Sequence, residues 1–520
     1  MRAAAYPHQV ARVEHLETHI SHVFLTGQYA YKIKKHLDLG FLDFSTLEKR
    51  RQACLEELRV NRRLAPELYL DVVPIAGTPA QPAVEGAGPP IEYAVKMRQF
   101  SNDGMLERVL ARGELTPGMI DAIADQLAAF HAGLPPAAPS GPYGQPEAII
   151  GPALQNFDQL APLLPRPEAQ ALLGRLREWT QRQHATLAAR FAQRLSEGFV
   201  RECHGDLHLG NLVLVDGRVR IFDAIEFNAH LRWIDVMNEA AFLTMDLLQR
   251  GQSALAWRFI NAYLERTGDY EGVPLLRYYL VYRALVRAKV AAIRAAQQVI
   301  RPSERDALLR KCDAHLALAD RVVRESRGAL VIHHGVAGSG KTWASQIVLE
   351  AVGAIRVRSD VERKRMHELA ASARTGAGIR GGIYTDQSTA AVYERLVQLA
   401  RAIVEGGFTA LVDATFLKRA QRGLFRDLAR GLEVPFAIAD FQADEPVLRA
   451  RVAARGRQGR DASEAGLDVL EHQLGTREPL REDEAQTAVT FRTDRMTVDE
   501  VRAQGRALAT RLGNREEEAQ

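Results

Sequence analysis

The chain has 520 residues, of which 47% are hydrophobic and 25% charged, and its formal net charge is +4. This length is too great for one compact core, so we expect two to four domains. The mild charge leaves nucleic-acid binding possible but does not indicate it. Three widely spaced cysteines argue against a disulfide framework, and no apolar segment reaches membrane length. These features predict a cytoplasmic protein without a membrane segment.

The first hundred residues are predicted to be mostly strand, with one long helix. Residues 18–35 read as two short strands joined at Gly27-Gln28, and residues 46–64 have helical periodicity. Two further strands are expected at Tyr69–Ile75 and Ile91–Met97, and the Pro/Gly-rich stretch between them indicates a surface hairpin loop.

The following two hundred residues are predicted to be mainly helical. Thr116-Pro117 is typical of a helix start, with a capping threonine and a proline at the first position. Residues 200–223 interrupt the helices with the motif HGDLHLGN and a hairpin at Asp216-Gly217. A small β-rich lobe followed by a helical lobe indicates an α+β bilobal protein-kinase-like domain, which we place at residues 1–325.

A different pattern begins near Gly328 and predicts an α/β P-loop domain with a parallel sheet at residues 326–520. Short buried strands alternate there with helical segments, which is typical of helices on both faces of a parallel sheet. The first strand, ALVIHH, is followed by strands expected at Ala354–Val357, Thr409–Val412, Val434–Ala439 and Ala488–Phe491.

The motif HGDLHLGN has the spacing of a phosphotransferase catalytic loop. In this pattern Asp206 accepts or orients the proton of the acceptor hydroxyl. Asn211 and Asp223, which ends the next strand, hold Mg²⁺ against the phosphates. The alternative is a degraded kinase fold that binds nucleotide without transferring phosphate.

This motif resembles that of the aminoglycoside phosphotransferase (choline-kinase-like) family, whose loop reads H-G-D-x-x-x-x-N. The resemblance covers about residues 20–300 and implies ATP and Mg²⁺ as cofactors. The chain departs from many relatives after Asp223, where Glu226 follows as a further metal or substrate ligand candidate. No acidic patch for polycationic aminoglycosides is evident, so antibiotic resistance is not implied.

The lysine that binds ATP is predicted to be Lys32. A kinase strand alternates so that a small residue faces adenine and the lysine two positions later faces the phosphates, and Ala30 and Lys32 fit this pattern. Lys34 lies on the same face and is the alternative. The partner glutamate is expected on the helix at 46–64, where we favour Glu57 over Glu56 because it borders the apolar stripe.

The second domain contains a complete P-loop motif between a strand and a helix. Backbone N–H groups of its glycines surround the phosphates, the lysine reaches the outer phosphates, and the threonine hydroxyl binds Mg²⁺. The motif assigns nucleotide binding to Gly335, Gly338, Ser339, Gly340, Lys341 and Thr342.

Two carboxylates and one arginine after the P-loop indicate which kind of P-loop protein this is. Asp360 follows the second strand and can accept a proton from a hydroxyl, while Arg363 on the same helix face can hold an anionic group. A helix-capping role for Asp360 is the alternative. Asp413 is predicted to end the central strand where P-loop proteins hold Mg²⁺.

Together these pieces resemble the small-molecule and polynucleotide kinases with a P-loop, including gluconate-kinase-like and zeta-toxin-like domains. The matching segments are GVAGSGKT, RSDVERKR, VDATF and RVAARGRQGRDASEA. The resemblance covers about residues 328–500 and implies Asp360 as general base, Arg363 as acceptor-binding residue, and Arg451 and Arg455 as lid arginines.

The sequence therefore predicts two fused Mg-ATP-dependent phosphotransferases with hydroxyl-bearing small-molecule or nucleotide acceptors. The whole chain resembles the bifunctional aminoglycoside phosphotransferase/ATP-binding protein group. One rival is a regulatory ATPase or nucleotide sensor, in which one module controls the other, and another is a toxin-like kinase restrained by its fused partner. The presence of both Asp206 and Asp360 favours two active sites, since a sensor needs neither proton acceptor.

Overall fold

The computed structural model describes residues 1–513 except 19, 39–41, 298–299, 326–327, 371–372, 374–382, 384 and 459–464. The chain forms two compact units. The first comprises Met1–Pro152 and His184–Asp246, and the second comprises Ala153–Gln183 and the chain from Leu247 onward. The boundary predicted between residues 325 and 326 stays a prediction. Among the described helices, none combines the length and apolar character needed to cross a membrane.

The first unit opens with a six-stranded antiparallel sheet of order β1-β2-β3-β6-β4-β5. The predicted strands and the long helix are all present, while the edge strands β1 and β5 were not predicted. The elements are β1 (Glu14–Glu17), β2 (Ser21–Leu25), β3 (Tyr29–Lys34), α1 (Leu47–Asn61), β4 (Tyr69–Thr78), β5 (Gln81–Val84) and β6 (Pro90–Arg98).

Helix α1 begins at a side-chain cap and packs against this sheet. The Thr46 hydroxyl accepts a hydrogen bond from the Lys49 backbone N–H, which satisfies one of the free amides of the first turn. Cys54 and Leu58 lie on the buried face of α1 and pack with Ala30 and Val95 of the sheet. This packing carries the neighbouring Glu57 into the interior, where it is fully buried.

Helices and two short antiparallel strand pairs follow the sheet. The pairs are β7 with β10, which flanks the HGDLHLGN segment, and the hairpin β8–β9. The elements are α2 (Leu106–Ala111), α3 (Pro117–Gly133), α4 (Pro146–Leu160), α5 (Pro167–Ser196), β7 (Val200–Glu202), β8 (Leu212–Val215), β9 (Arg218–Ile221), β10 (Trp233–Asp235) and α6 (Val236–Gln249).

The second unit contains a five-stranded parallel sheet of order β12-β13-β11-β14-β15. This confirms the predicted α/β domain. The central strand is β11, so Asp413 ends the strand beside the centre and not the central strand itself. The elements are α7 (Ser253–Thr267), α8 (Val273–Ala295), α9 (Pro302–Arg324), β11 (Ala329–His334), α10 (Lys341–Val352), β12 (Ala354–Arg358), α11 (Ser359–Met366), α12 (Asp386–Glu405), β13 (Thr409–Asp413), α13 (Arg419–Gly431), β14 (Phe436–Gln442), α14 (Glu445–Gln458), α15 (Leu467–Thr476), α16 (Glu482–Ala485), β15 (Ala488–Arg492) and α17 (Val498–Arg511).

The carboxyl ends of β11, β12 and β13 meet at one edge of this sheet because the strands are parallel. The P-loop follows β11, Asp360 follows β12 and Asp413 ends β13. In open α/β sheets, ligands bind in the crevice outside these strand ends. The topology therefore collects the predicted site residues of the second unit at one edge.

Candidate active sites

Asp206 lies in the first unit, in the loop between β7 and β8. Its Oδ2 accepts a hydrogen bond of 2.9 Å from Asn211 Nδ2 and lies 3.3 Å from His208 Nε2. His208 Nδ1 accepts a hydrogen bond from the Gly210 N–H, so its hydrogen is on Nε2 and points to Asp206. The carboxylate is one-third exposed, so it is oriented by two neighbours and still accessible to a substrate.

The turn before Asp206 is held by Glu239, a fully buried residue of α6. Glu239 accepts hydrogen bonds from the backbone N–H groups of His204, at 2.9 Å, and Gly205, at 2.6 Å. Gly205 has a φ of +88°, and a Cβ there would lie 2.8 Å from the Leu231 carbonyl oxygen. His131 Nε2 of α3 lies 3.1 Å from the same carboxylate. The role of Glu239 was not predicted from the sequence.

Glu239 gives the first unit a stability that depends on pH. Burial alone would raise its pKa, but His131 and the backbone amides lower the pKa to about 2 from an ordinary 4.5. Such a carboxylate contributes about 3 kcal/mol above pH 4.5, and the contribution is lost as the pH falls from about 4.5 to about 2. We expect Glu239→Gln to lower the free energy of unfolding at pH 7 and to flatten its decline in that window, measured by urea titration.

The surface substitution Glu14→Gln is the matched control, since Glu14 is exposed on the edge strand β1. It should leave both the stability at pH 7 and the acid slope unchanged. Equal acid slopes for Glu239→Gln and the parent would contradict the assignment of this pH dependence to Glu239.

Lys32, Glu57 and Asp223 meet in the first unit. Lys32 Nζ lies 2.8 Å from Glu57 Oε1 and 2.5 Å from Asp223 Oδ1. Asp223 lies two residues after β9 with a φ of +64°, and the Phe222 N–H donates to the Asn211 carbonyl oxygen, which places this turn beside the HGDLHLGN loop. The five predicted residues of this site are thus brought together. Their assigned roles stay predictions.

Lys34 forms a second ion-pair cluster directly behind Lys32. Its ammonium contacts Glu57 Oε2 at 2.5 Å and also Glu226, and all three side chains are almost completely buried. Burial disfavours the charged ammonium, but the carboxylates around it raise the pKa of Lys34. Burial also tends to raise the pKa of Glu57, which the two lysines nevertheless lower to about 2. Lys34, the alternative for the ATP lysine, is therefore buried in ion pairs with Glu57 and Glu226.

We expect the two lysines to differ in what their loss changes. Lys34→Met would leave the buried carboxylates of Glu57 and Glu226 short of a cation and lower the free energy of unfolding by about 3–5 kcal/mol. Lys32→Met should cost less stability, because its partner Asp223 is 41% exposed, but should weaken ATP binding at this site. Urea unfolding measures the stability of each variant. Calorimetric ATP titration in a Lys341→Ala background, which removes binding at the P-loop, measures ATP binding at this site. Equal stability of the two variants would contradict the distinction.

The P-loop of the second unit joins β11 to α10. Lys341 Nζ donates to the carbonyl oxygens of Gly335, at 2.7 Å, and Val336, at 2.9 Å, so it lies over the loop. Gly340 has a φ of +81°, and a Cβ there would lie 2.8 Å from Thr493 Oγ1. Thr342 is the second residue of α10. The predicted strand–loop–helix context of the motif is confirmed.

Asp413 is a buried carboxylate beside the P-loop strand. His333 Nδ1 lies 3.4 Å from Asp413 Oδ1, and Arg358 Nε lies 3.8 Å from Oδ2. Although burial tends to raise its pKa, His333 and the nearby arginines hold the pKa of Asp413 well below its usual range. An ionised carboxylate at this strand end suits a divalent cation.

Asp360 and Arg363 lie one turn apart on α11, as predicted. Arg363 is buried, and its Nη1 donates to the Ile383 carbonyl oxygen at 3.1 Å and to Ser388 Oγ at 3.3 Å. The guanidinium therefore contacts the start of α12 in this structure, and its predicted binding of an anionic acceptor stays a prediction. The role of Asp360 also stays a prediction.

Arg451 of α14 lies beside the P-loop. Its Nη1 donates to Thr493 Oγ1 at 2.8 Å, and its Nη2 donates to the Thr493 carbonyl oxygen at 2.9 Å. The Thr493 hydroxyl in turn donates to the Ser339 carbonyl oxygen, so Arg451 is linked to the phosphate-binding loop. The side chain of Arg455 lies outside the described residues. The lid roles of both arginines stay predictions.

Two family models match the chain. Residues 42–276 match the phosphotransferase enzyme family, and residues 330–480 match an AAA domain of the P-loop kinase type. The two matches confirm both resemblances predicted from the motifs. The first match contains the HGDLHLGN loop and Asp223, and the second contains the P-loop, Asp360 and Asp413.

The chain is also similar to a curated protein over most of its length and to solved structures over parts of it. An uncharacterized protein of Mycobacterium tuberculosis strain H37Rv is 29% identical over 449 residues, covering 86% of this chain and 87% of that protein. A gluconokinase from Sinorhizobium meliloti 1021 is 24% identical with a TM-score of 0.25, covering 36% of this chain and 93% of its own. A choline/ethanolamine kinase family protein from Mesorhizobium loti is 13% identical with a TM-score of 0.35, covering 60% and 93%.

Proposed function

We propose that this chain, an ATP-dependent kinase built from a phosphotransferase-family domain and a P-loop kinase domain, transfers the γ-phosphate of Mg-ATP to hydroxyl acceptors at two separate sites. The acceptors are small molecules or nucleotides. The observation that carries the proposal is the cluster in the first unit, where Asp206 contacts Asn211 at 2.9 Å and Lys32 contacts Asp223 at 2.5 Å.

In the first unit, Asp206 orients the acceptor hydroxyl and takes its proton. Glu57 holds Lys32 in place. Lys32 exchanges its contact with Asp223 for a contact with the phosphates of ATP. Asn211 and Asp223 are the residues that would hold Mg²⁺, and the partly exposed Asp223 carboxylate fits that role. Such a transfer requires positioning and charge stabilisation more than covalent help, because its transition state is loose.

In the second unit, the P-loop amides and Lys341 bind the phosphates, and Asp360 takes the acceptor proton. Thr342 and Asp413 would hold Mg²⁺, and the buried, ionised state of Asp413 supports this assignment. When bound, Mg²⁺ neutralises the charge on the transferring phosphoryl group. Arg451 would stabilise the same charge, and its link to the loop through Thr493 supports this role.

The test uses the full chain with γ-labelled ATP and a library of metabolites and oligonucleotides. We compare the parent with Asp206→Asn, with Asp360→Asn and with the double variant. We expect labelled products in the parent, with one set lost in each single variant and all lost in the double variant. This division assigns every acceptor to one module.

Two results would contradict the proposal. Acceptor labelling that survives in the double variant would show that neither carboxylate takes part in transfer. Turnover of ATP without any labelled acceptor, unchanged in all variants, would favour the sensor hypothesis, since a sensor hydrolyses or binds ATP without using Asp206 or Asp360.

A further inference from the structure

Helix α7 is fixed to strand β12 within the second unit. The side-chain amide of Asn261 makes two hydrogen bonds to this strand, donating to the Ala354 carbonyl oxygen at 2.8 Å and accepting from the Arg356 N–H at 2.7 Å. Trp257, one turn earlier on α7, packs against the hydrophobic core of the sheet. The helix therefore has a defined position relative to the strand that leads to Asp360.

Glu265 follows Asn261 by one turn on α7 and lies beside two arginines of β12. Its Oε1 accepts a hydrogen bond of 3.0 Å from Arg358 Nη1, and its Oε2 accepts one of 3.4 Å from Arg356 Nη2. The Arg358 side chain is only 13% exposed and that of Glu265 24%. Partial burial makes this pair stronger than an exposed salt bridge, because the local dielectric is lower.

Arg358 also faces Asp413, the carboxylate assigned to Mg²⁺. The two residues are register partners in the parallel pair β12–β13, and Arg358 Nε lies 3.8 Å from Asp413 Oδ2. A guanidinium so close to a metal-binding carboxylate competes with the cation for it. Glu265 binds the same guanidinium through Nη1 and offsets its positive charge.

We propose that Glu265 is a positioning residue of the P-loop kinase site, which holds Arg358 and balances its charge so that Asp413 remains available to Mg²⁺. Glu265 lies inside residues 42–276, which match the phosphotransferase enzyme family, and outside residues 330–480, which match the AAA domain. The P-loop site would thus depend on Glu265, a residue within the segment that matches the phosphotransferase enzyme family. This inference rests on the proposed function of Asp413.

The test compares ATP binding with and without Mg²⁺ in the full chain. A Lys32→Ala background silences the first site, so that calorimetry reports the P-loop site. In Glu265→Gln we expect ATP affinity in EDTA to stay within about twofold of the parent. The gain in ATP affinity from Mg²⁺ should fall by roughly tenfold, which is the low end of the effect seen when a partner of a metal ligand is removed. Adding Arg358→Gln removes the competing charge and should restore the gain to within about twofold.

Glu271→Gln is the matched control, because Glu271 forms a more exposed ion pair with Arg395 at 2.7 Å in the same unit. It should leave the gain from Mg²⁺ unchanged. An unchanged gain in Glu265→Gln, or a double variant no better than the single one, would overturn the inference. So would a lowered melting temperature with an unchanged gain, since Glu265 would then only support the fold. A parent whose ATP affinity does not respond to Mg²⁺ would overturn the proposed function of this module as well.

Discussion

Replacing Lys341 with alanine should reduce the calorimetric stoichiometry of ATP binding from about two nucleotides per chain to about one. Lys341 Nζ already lies over the P-loop, with the carbonyl oxygens of Gly335 and Val336 as partners. When phosphates enter, the ammonium exchanges these partners for charged oxygens. Loss of two charge-assisted hydrogen bonds corresponds to at least about a hundredfold in affinity. Binding at the first unit should be unchanged, because its cluster of Lys32, Glu57 and Asp223 contains no P-loop residue.

Lys418→Ala serves as the control for this substitution. Lys418 is 46% exposed and pairs with Glu478, so its removal deletes a lysine of the same unit outside the P-loop. Two nucleotides bound with parental affinities in Lys341→Ala would contradict the assignment of the P-loop as a binding site. Loss of binding at both sites would instead indicate that the two sites are coupled.

Replacing Asp360 with asparagine should separate binding from transfer in the second unit. Asp360 lies in the first turn of α11, at the sheet edge that also carries the P-loop and Asp413. Asparagine keeps the size and hydrogen-bonding shape of the side chain but cannot take a proton. We expect ATP affinity within a few-fold of the parent and phosphoryl transfer lower by about a hundredfold or more, the scale of a lost general base. Paired calorimetry and acceptor-dependent turnover measure the two quantities.

Asp427→Asn is the control for Asp360→Asn, because Asp427 is 60% exposed on α13 and pairs with Arg430. Its turnover should equal that of the parent. Undiminished transfer in Asp360→Asn would leave Asp360 only the structural role of an acidic residue in the first turn of α11, whose N-cap is Arg358. A fall in ATP affinity as large as the fall in transfer would assign Asp360 to the nucleotide or the metal instead.

Residues whose function depends on local spacing were predictable from the sequence. The P-loop and the HGDLHLGN loop have fixed patterns, and the structure places both in the expected strand and helix context. The choice of Glu57 over Glu56 followed from helical periodicity. Glu57 indeed contacts Lys32 at 2.8 Å, whereas Glu56 pairs with Arg59 and Arg232.

Residues that act through long-range contacts were not predictable in this way. Glu239 holds the catalytic loop from 35 positions along the chain, and Glu226 contacts Lys34 across 192 positions. The only local signal for Glu239 was an acidic residue within an apolar helix. Strand β1 was missed for a different reason, because this edge strand is mostly exposed and lacks an apolar alternation.

The two hydrogen bonds from Asn261 to β12 have a consequence for fragments of this protein. Strand β12 is at the edge of its sheet, and an uncovered edge offers free N–H and C=O groups to strands of other molecules. A fragment that begins at residue 326 would lack Asn261 and would expose the Ala354 carbonyl and the Arg356 N–H. Such a fragment should aggregate by edge-to-edge pairing, whereas one that includes α7 should stay dispersed. Helix α7 thus protects the solubility of the P-loop domain as well as its shape.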